Sequence, residues 1–427
     1  MAPAVLPTLA FRRKSPNALT IALVCDGIAD VVAGSFISTA RLGERLHARG
    51  HRVVFISSGS REQTFEHAHR GMTIHRFRGV MLPRSGRVRL AVPFAFMLRR
   101  LLRDEHIDIV HVMLPTPLGA VAGRAAKGMG LPLVMHSHTQ PENIFMNGPR
   151  FPGRDLLTRL FGQYLAWLYR QGDVLVHPSA FSQRQFPVPG LSRHQVISNG
   201  VDRQRFRPTA ADAFRQRFQL STATQHLLYV GRLHPEKNIE TLIRAMPMIL
   251  ARRPHTHLLL VGLGYKQPTL KRLAEACAVA PHVTFCGFVP DVDLPAAYNA
   301  CDLFVLPSLA ELEGIAVLEA MACGKPILIA DATDSAATDL VDGNGLLFHA
   351  RDPEHLAAQA CRLLSDAPRL RAMGTKSLLN SRAFDINESV AALEALYYSL
   401  LSTPVTGRPR IREYHVDDES TAHWVPA

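Results

Sequence analysis

Residues 301–331 constrain the fold more than any other stretch of this chain. The run Leu303–Leu306 and the run 326–330 are apolar without interruption, as strands buried on both faces are. Between them lies a helical segment bounded by Gly314 and Gly324. This is a strand–loop–helix–strand unit. In such units ligands sit at the carboxyl ends of the strands, over the helix N-terminus. The first-turn amides at Gly314, Ile315 and Ala316 lack intrahelical partners and share about +0.5 charge. A diphosphate is their natural occupant.

Two carboxylates flank that helix start. Glu311 stands just before it and Glu319 lies about a turn and a half inside. Helical side chains lean towards the N-terminus, so Glu319 can reach back to the same ligand. One acid for sugar hydroxyls and one for ribose hydroxyls would suit a nucleotide-sugar. Glu311 also reads as a solvated charge favoured by the helix dipole. Glu319, set among Leu318, Ala320 and Met321, is harder to explain without a ligand, because unpaired carboxylates are seldom buried.

The same alternation recurs towards the N-terminus. A strand over 19–25, a helix over 37–49 closed by Gly50, and a strand over 51–57 open a Rossmann-like half. Gly34 precedes its helix, where backbone can approach a ligand or simply turn. Strands over 108–113 and 131–136 follow, and the second runs into the polar loop SHTQPEN. His138 in that loop stands at the functional edge of a sheet. His136 points to the other face, and 140–143 form an acceptor-side wall.

A second half opens with a strand over 226–230 and the segment GRLHPEKN, where Gly231 admits a ligand and Arg232 and Lys237 offer two cations. Gly262 and Gly264 mark another strand-to-glycine turn. Val289 follows the strand over 283–288, in the loop before the next helix. Asp291 and Asp293 happen to spell D-x-D, read here as a loop before a helix rather than a metal site.

The formal charge of +12 favours phosphorylated ligands, anionic lipid or nucleic acid. No zinc-finger spacing or RRM-type aromatic motif accompanies it, so nucleic acid is not expected. None of the six cysteines pair as C-x-x-C, which suits buried free thiols in a reducing cytosol. No apolar run reaches the roughly 20 residues that span a bilayer. Residues 76–103 interleave arginines with Val, Leu, Phe and Met, and 147–171 add Tyr and Trp beside further arginines. Each stretch reads either as a docking face for an anionic membrane or as a helix packed on its domain.

Glu311, seven residues, then Glu319 followed by AMACG resembles the signature of the retaining glycosyltransferases of family 4, and further motifs recur in order over roughly 20–400. The resemblance implies an α/β GT-B fold: two Rossmann-like, doubly wound parallel-sheet domains facing across a cleft. It places an acceptor domain at 19–203, a nucleotide-sugar domain at 204–385 and a returning helix at 386–403, with tails at 1–18 and 404–427. It implies that Glu311 contacts the donor sugar, that His138 contacts the donor sugar or helps position the acceptor, that Glu319 binds the ribose, that Gly262, Gly264 and Val289 lie near the nucleotide, and that Arg232 and Lys237 clamp the leaving diphosphate. It implies metal independence and no cofactor. Departures are Glu313, where many members carry an aromatic residue, and a single glycine at Gly34.

The run AELEGIA over 310–316 looks closest to diacylglycerol glucosyltransferases. The expectation is hexose transfer, UDP-glucose favoured, to a membrane lipid at the cytoplasmic face of the plasma membrane. A GDP-mannose-dependent mannosyltransferase and an enzyme of surface-polysaccharide assembly are the alternatives. A sugar-nucleotide epimerase and a nucleotide-sugar binding protein without turnover are rivals from other classes.

Overall fold

A computed structural model describes residues 18–27, 34–69, 71–81, 89–140, 153–186, 188–191 and 193–402. The expected tails apart from residue 18, residues 82–88 and 147–152 of the basic stretches, and 141–143 of the acceptor wall lie outside them.

The first sheet comprises β1 (Thr20–Val24), β2 (Arg52–Gly59), β3 (Gln63–His69), β4 (Met72–Met81), β5 (Arg89–Ala91), β6 (Ile109–Val112), β7 (Leu133–His136), β8 (Val174–His177) and β9 (His194–Val196). Its order is β3-β4-β2-β1-β6-β7-β8-β9, with β5 paired to β4. From β4 to β9 the neighbours are parallel, whereas β3 and β5 add antiparallel to β4. Helix α1 (Gly34–Ala48) covers one face, and α2 (Ala95–Asp104), α3 (Pro117–Gly128) and α4 (Arg154–Tyr169) cover the other. Coverage on both faces explains why the central strands are mostly apolar, with His111, His136 and His177 near their carboxyl ends.

The second sheet is parallel, in the order β12 (Val283–Gly287), β11 (Thr256–Val261), β10 (Gln225–Val230), β13 (Leu303–Leu306), β15 (Ile327–Asp331), β17 (Gly345–His349). Two short strands, β14 (Ala310–Glu311) and β16 (Asp334–Ser335), pair outside it. Helices α5 (Ile239–Arg252) and α6 (Ile315–Ala322) pack in the second core. Helix α7 (Ile386–Ser402) returns to the first domain, burying Ile386, Val390, Leu393 and Leu400 among Ile21, Leu23, Phe36 and Leu46.

The basic stretch from 76 differs from its expected form. Arg76, Phe77 and Arg78 alternate with period two, and Phe77 points into the core, so this part is strand rather than a continuous docking segment. In α2 only Leu98 and Leu102 are buried, while Phe94 and Phe96 stand exposed and stacked with centroids 5.8 Å apart. In α4, Tyr169 is buried, Tyr164 donates to Pro115 O at 3.2 Å, and Arg124 lies 4.9 Å over the Trp167 ring. Its most exposed apolar side chains are instead Leu156 and Leu160.

Candidate active site

The first domain brings three imidazoles to the carboxyl edge of its sheet. His111 stacks on His136 at 5.3 Å, and His136 on His138 at 4.1 Å. Tyr397, buried on α7, has its hydroxyl 2.7 Å from His111 Nδ1, and His111 Nε2 lies 3.2 Å from His136 Nδ1. Burial pushes His138 down to about 4 and His111 down to about 3. Hence both are neutral at physiological pH, and His138 can act on a ligand only as a neutral hydrogen-bonding group. His138 Nε2 is buried without a hydrogen-bond partner among the described residues.

The second domain gathers charge where β10 and β13 end. Lys237 Nζ donates to Glu311 Oε1 at 2.6 Å, and Arg232 donates to the buried Glu236 at 3.0 Å. His234 lies between these cations, and burial, then Arg232 and Lys237, lowers it to about 4. Gly314, with φ of +97°, caps α6 three residues after Glu311, and no side chain caps that helix start.

The glycines at 262 and 264 lie against the backbone of the loop that carries Arg232. A Cβ on Gly262 would fall 2.0 Å from Gly231 O, and one on Gly264 would fall 2.2 Å from Leu233 O. Leu233 N donates to Leu263 O at 2.9 Å, so these glycines let two strand-end loops lie backbone to backbone. They shape the loop carrying Arg232, whatever they do for a nucleotide. Val289 is buried in the second core, and Gly34 is the first residue of α1.

The two domains meet through named contacts. Ser179 donates to Leu312 O at 2.5 Å, and Gln140 donates to Asp334 O at 3.1 Å. Glu313, the extra acid of the sequence, is buried against the first domain. It accepts from Ser198 Oγ and from Asn199 N and Nδ2, the last at 2.6 Å. Glu319 is also occupied: Arg41 donates to one oxygen and Tyr298 to the other, each at 2.7 Å. Arg41 further pairs with Asp291 at 2.7 Å and lies 5.1 Å over the Phe206 ring. Arg205 takes the other Asp291 oxygen, so the first acid of the D-x-D string is fully engaged.

Residues 211–378 match the family described as Glycosyl transferases group 1, and residues 32–205 match Glycosyltransferase Family 4. A GDP-mannose-dependent monoacylated alpha-(1-6)-phosphatidylinositol monomannoside mannosyltransferase of Corynebacterium glutamicum is 30% identical over 336 residues, covering 75% of this chain and 83% of that one. The chain belongs to the group 1 and family 4 glycosyltransferases. A GDP-mannose-dependent alpha-mannosyltransferase of Mycobacterium tuberculosis is 28% identical and covers 84% of this chain and 92% of its own. The GT-B fold is shared with sucrose-phosphate synthase from Thermosynechococcus elongatus, at a TM-score of 0.74 and 22% identity, covering 90% of this chain and 99% of that one. It is also shared with Anabaena HepE in complex with UDP and glucose, at a TM-score of 0.70 and 20% identity, covering 89% and 99%.

For a glycosyltransferase of this fold, the structure sets His138 on one domain and Glu311, Lys237, Arg232 and the α6 N-terminus on the other. Sequence reasoning missed Arg41, Tyr298 and His234. Arg41 lies in an unremarkable helix, and its role depends on which surface that helix faces. His234 was legible only as part of GRLHPEKN, where its two cationic neighbours were the clue.

Proposed function

We propose that this glycosyltransferase moves mannose from GDP-mannose, with retention of configuration, to a hydroxyl of a membrane-lipid acceptor. The observation that carries the reading is the cation cluster of Arg232 and Lys237, held by Glu236 and Glu311 beside the open N-terminus of α6. In the transfer, the anomeric carbon bonds the acceptor oxygen as its bond to the diphosphate breaks. The acceptor proton passes to the departing diphosphate on the same face. The protein's share is positioning and charge stabilisation. The cations do the work a metal would otherwise do, and EDTA should leave turnover unchanged.

The sugar and acceptor follow the relatives, whose names carry GDP-mannose and phosphatidylinositol mannosides. They favour the mannosyl alternative over UDP-glucose and diacylglycerol. A membrane acceptor also suits the first domain's surface. Among the described residues, Val92 and Phe94 just before α2 and Phe96 in it are exposed, with Arg99, Arg100 and Arg103 also exposed on α2. Such a face favours peripheral attachment to anionic lipid. No helix is long and apolar enough to cross a membrane among the described residues.

The test offers the purified protein GDP-mannose, UDP-glucose and UDP-galactose in turn. Anionic liposomes carrying phosphatidylinositol or diacylglycerol are present, and products are read by mass spectrometry. A mannosylated inositol lipid supports the proposal. A hexosyl-diacylglycerol restores the glucosyl reading, a changed sugar on the nucleotide alone indicates an epimerase, and no consumption of any donor removes the transferase reading.

A further inference from the structure

Helix α7 sets the fully buried Tyr397 against His111 of β6. Among the described residues the Tyr397 hydroxyl makes one hydrogen bond, of 2.7 Å, to His111 Nδ1. A phenol has a single proton, and a buried one that reached no acceptor would be costly. Tyr397 therefore donates, and His111 Nδ1 accepts. Burial holds His111 and His136 neutral, so each ring carries one N–H. With Nδ1 accepting, the His111 proton is on Nε2, which faces His136 Nδ1 at 3.2 Å. His136 Nδ1 must then accept as well, and its own proton is on Nε2. The proton order of the three groups is set from the tyrosine end.

The same chain fixes how the His136 ring is turned. An imidazole rotates about a broad, roughly two-fold torsion, so a hydrogen bond at one edge selects its orientation. His136 Nε2 has no hydrogen-bond partner among the described residues, which leaves the bond at Nδ1 to make that selection. His136 in turn is the platform for His138. The sequence reading set His136 on the opposite face, yet the two rings stack 4.1 Å apart and 11° from parallel. His138 Nε2 also lacks a hydrogen-bond partner among the described residues, so contact with His136 is what places that ring. Tyr397 reaches this edge because the start of α7 is registered on the chain: the Val201 amide donates to Phe384 O at 2.7 Å and the Ile386 amide to Val201 O at 3.1 Å. A phenylalanine would fill the same space, and the hydroxyl is what tyrosine adds.

We infer that Tyr397 is a positioning residue for His138: through His111 it fixes the tautomer and the ring orientation of His136, the surface on which His138 is stacked. The part of His138 in transfer rests on the function proposed above. The proton order of Tyr397, His111 and His136 does not.

The experiment uses the full chain, isotope-labelled at its histidine nitrogens. Long-range proton–nitrogen NMR at neutral pH distinguishes the two imidazole tautomers, and His111→Gln and His136→Gln assign the signals. Wild-type His111 and His136 should both carry the proton on Nε2. A wild-type His136 protonated on Nδ1 overturns the inference, and this reading stands even if Tyr397→Phe does not fold.

Tyr397→Phe keeps the ring and removes the hydroxyl. The His136 signal should change from one tautomer to a mixture. With GDP-mannose and phosphatidylinositol liposomes, kcat should fall about 3- to 10-fold, the worth of one buried hydrogen bond, while donor affinity stays within about twofold. In a His138→Ala background the same substitution should lower kcat no further, because its effect passes through His138. An equal fall in both backgrounds, or a Tyr397→Phe protein with wild-type kcat and tautomers, overturns the inference. Absence of turnover with every donor would remove the transferase reading, and an Nε2–H pattern that Tyr397→Phe disturbs would still support the positioning of the histidine stack.

Discussion

Arg41 and Glu319, on different domains, form a buried ion pair of 2.7 Å across the interdomain cleft. Burial opposes charge on Arg41, yet Glu319 and Asp291 more than offset it and hold its pKa above the ordinary value. With Tyr298 on its other oxygen, both Glu319 oxygens are paired with protein groups. A ribose that used Glu319 would have to share it with Arg41 or displace it.

Removing one partner of such a pair leaves an uncompensated buried charge. Arg41→Met should cost about 3–5 kcal/mol in denaturant unfolding, and Glu319→Gln in the same background should recover part of that. Additive losses in the double-mutant cycle would show that the two residues are not energetically coupled.

The Lys237 ammonium faces Glu311 at 2.6 Å. If its main work is on charge that develops as the diphosphate leaves, Lys237→Ala should lower kcat by about 10²–10³-fold with much less change in donor affinity. Single-turnover rates and donor titrations separate the two. Equal losses in both would mean uniform binding instead.

His111 and His138 are held neutral by burial, at about 3 and about 4. Below the ordinary histidine value of 6.5 the unfolded chain takes up protons that these folded imidazoles refuse. Stability is therefore lost as pH falls from 6.5 towards 4, about 2 kcal/mol from His111 alone by pH 5. His111→Asn should flatten the acid side of the stability–pH curve measured by denaturant unfolding. Titration of His138 should leave no limb in the activity profile between pH 6 and 8.

Glu313 shows the opposite sign. Burial raises its carboxyl to about 7, partly offset by Ser198 and Asn199. Between pH 4.5 and 7 the folded protein binds this proton more readily than the unfolded chain, so Glu313 lowers stability as pH rises through that window. Relative to wild type, Glu313→Gln should gain in Tm steadily from pH 5 to pH 7 and then level off. A difference that does not vary with pH would contradict the assignment.

Phe94 and Phe96 stand 72% and 68% exposed, so their loss should not disturb the core. Phe94→Ser with Phe96→Ser should change Tm by less than about 1 °C, as expected for surface substitutions. Cosedimentation with anionic liposomes should fall several-fold at low salt. Undiminished cosedimentation would move the docking face elsewhere.

The sequence by itself determined the strand–loop–helix units, the two halves, the helix start at Gly314 and the cation motif with Arg232 and Lys237. Each is local: hydrophobic period, glycine punctuation and charge spacing are fixed by residues a few positions apart. It also placed Glu311 and His138 at strand ends, because a strand's carboxyl end is visible in the chain. Only the tertiary structure decided what those side chains touch. Arg41 meets Glu319 across 278 positions, Ser198 meets Glu313 across 115, and Tyr397 meets His111 across 286. Those partners depend on how the two sheets face each other and where α7 returns. Apolar periodicity specifies that a face is buried but carries no record of which surface buries it. For the same reason the sequence carried no sign that the glycines at 262 and 264 press against the backbone of the adjoining loop.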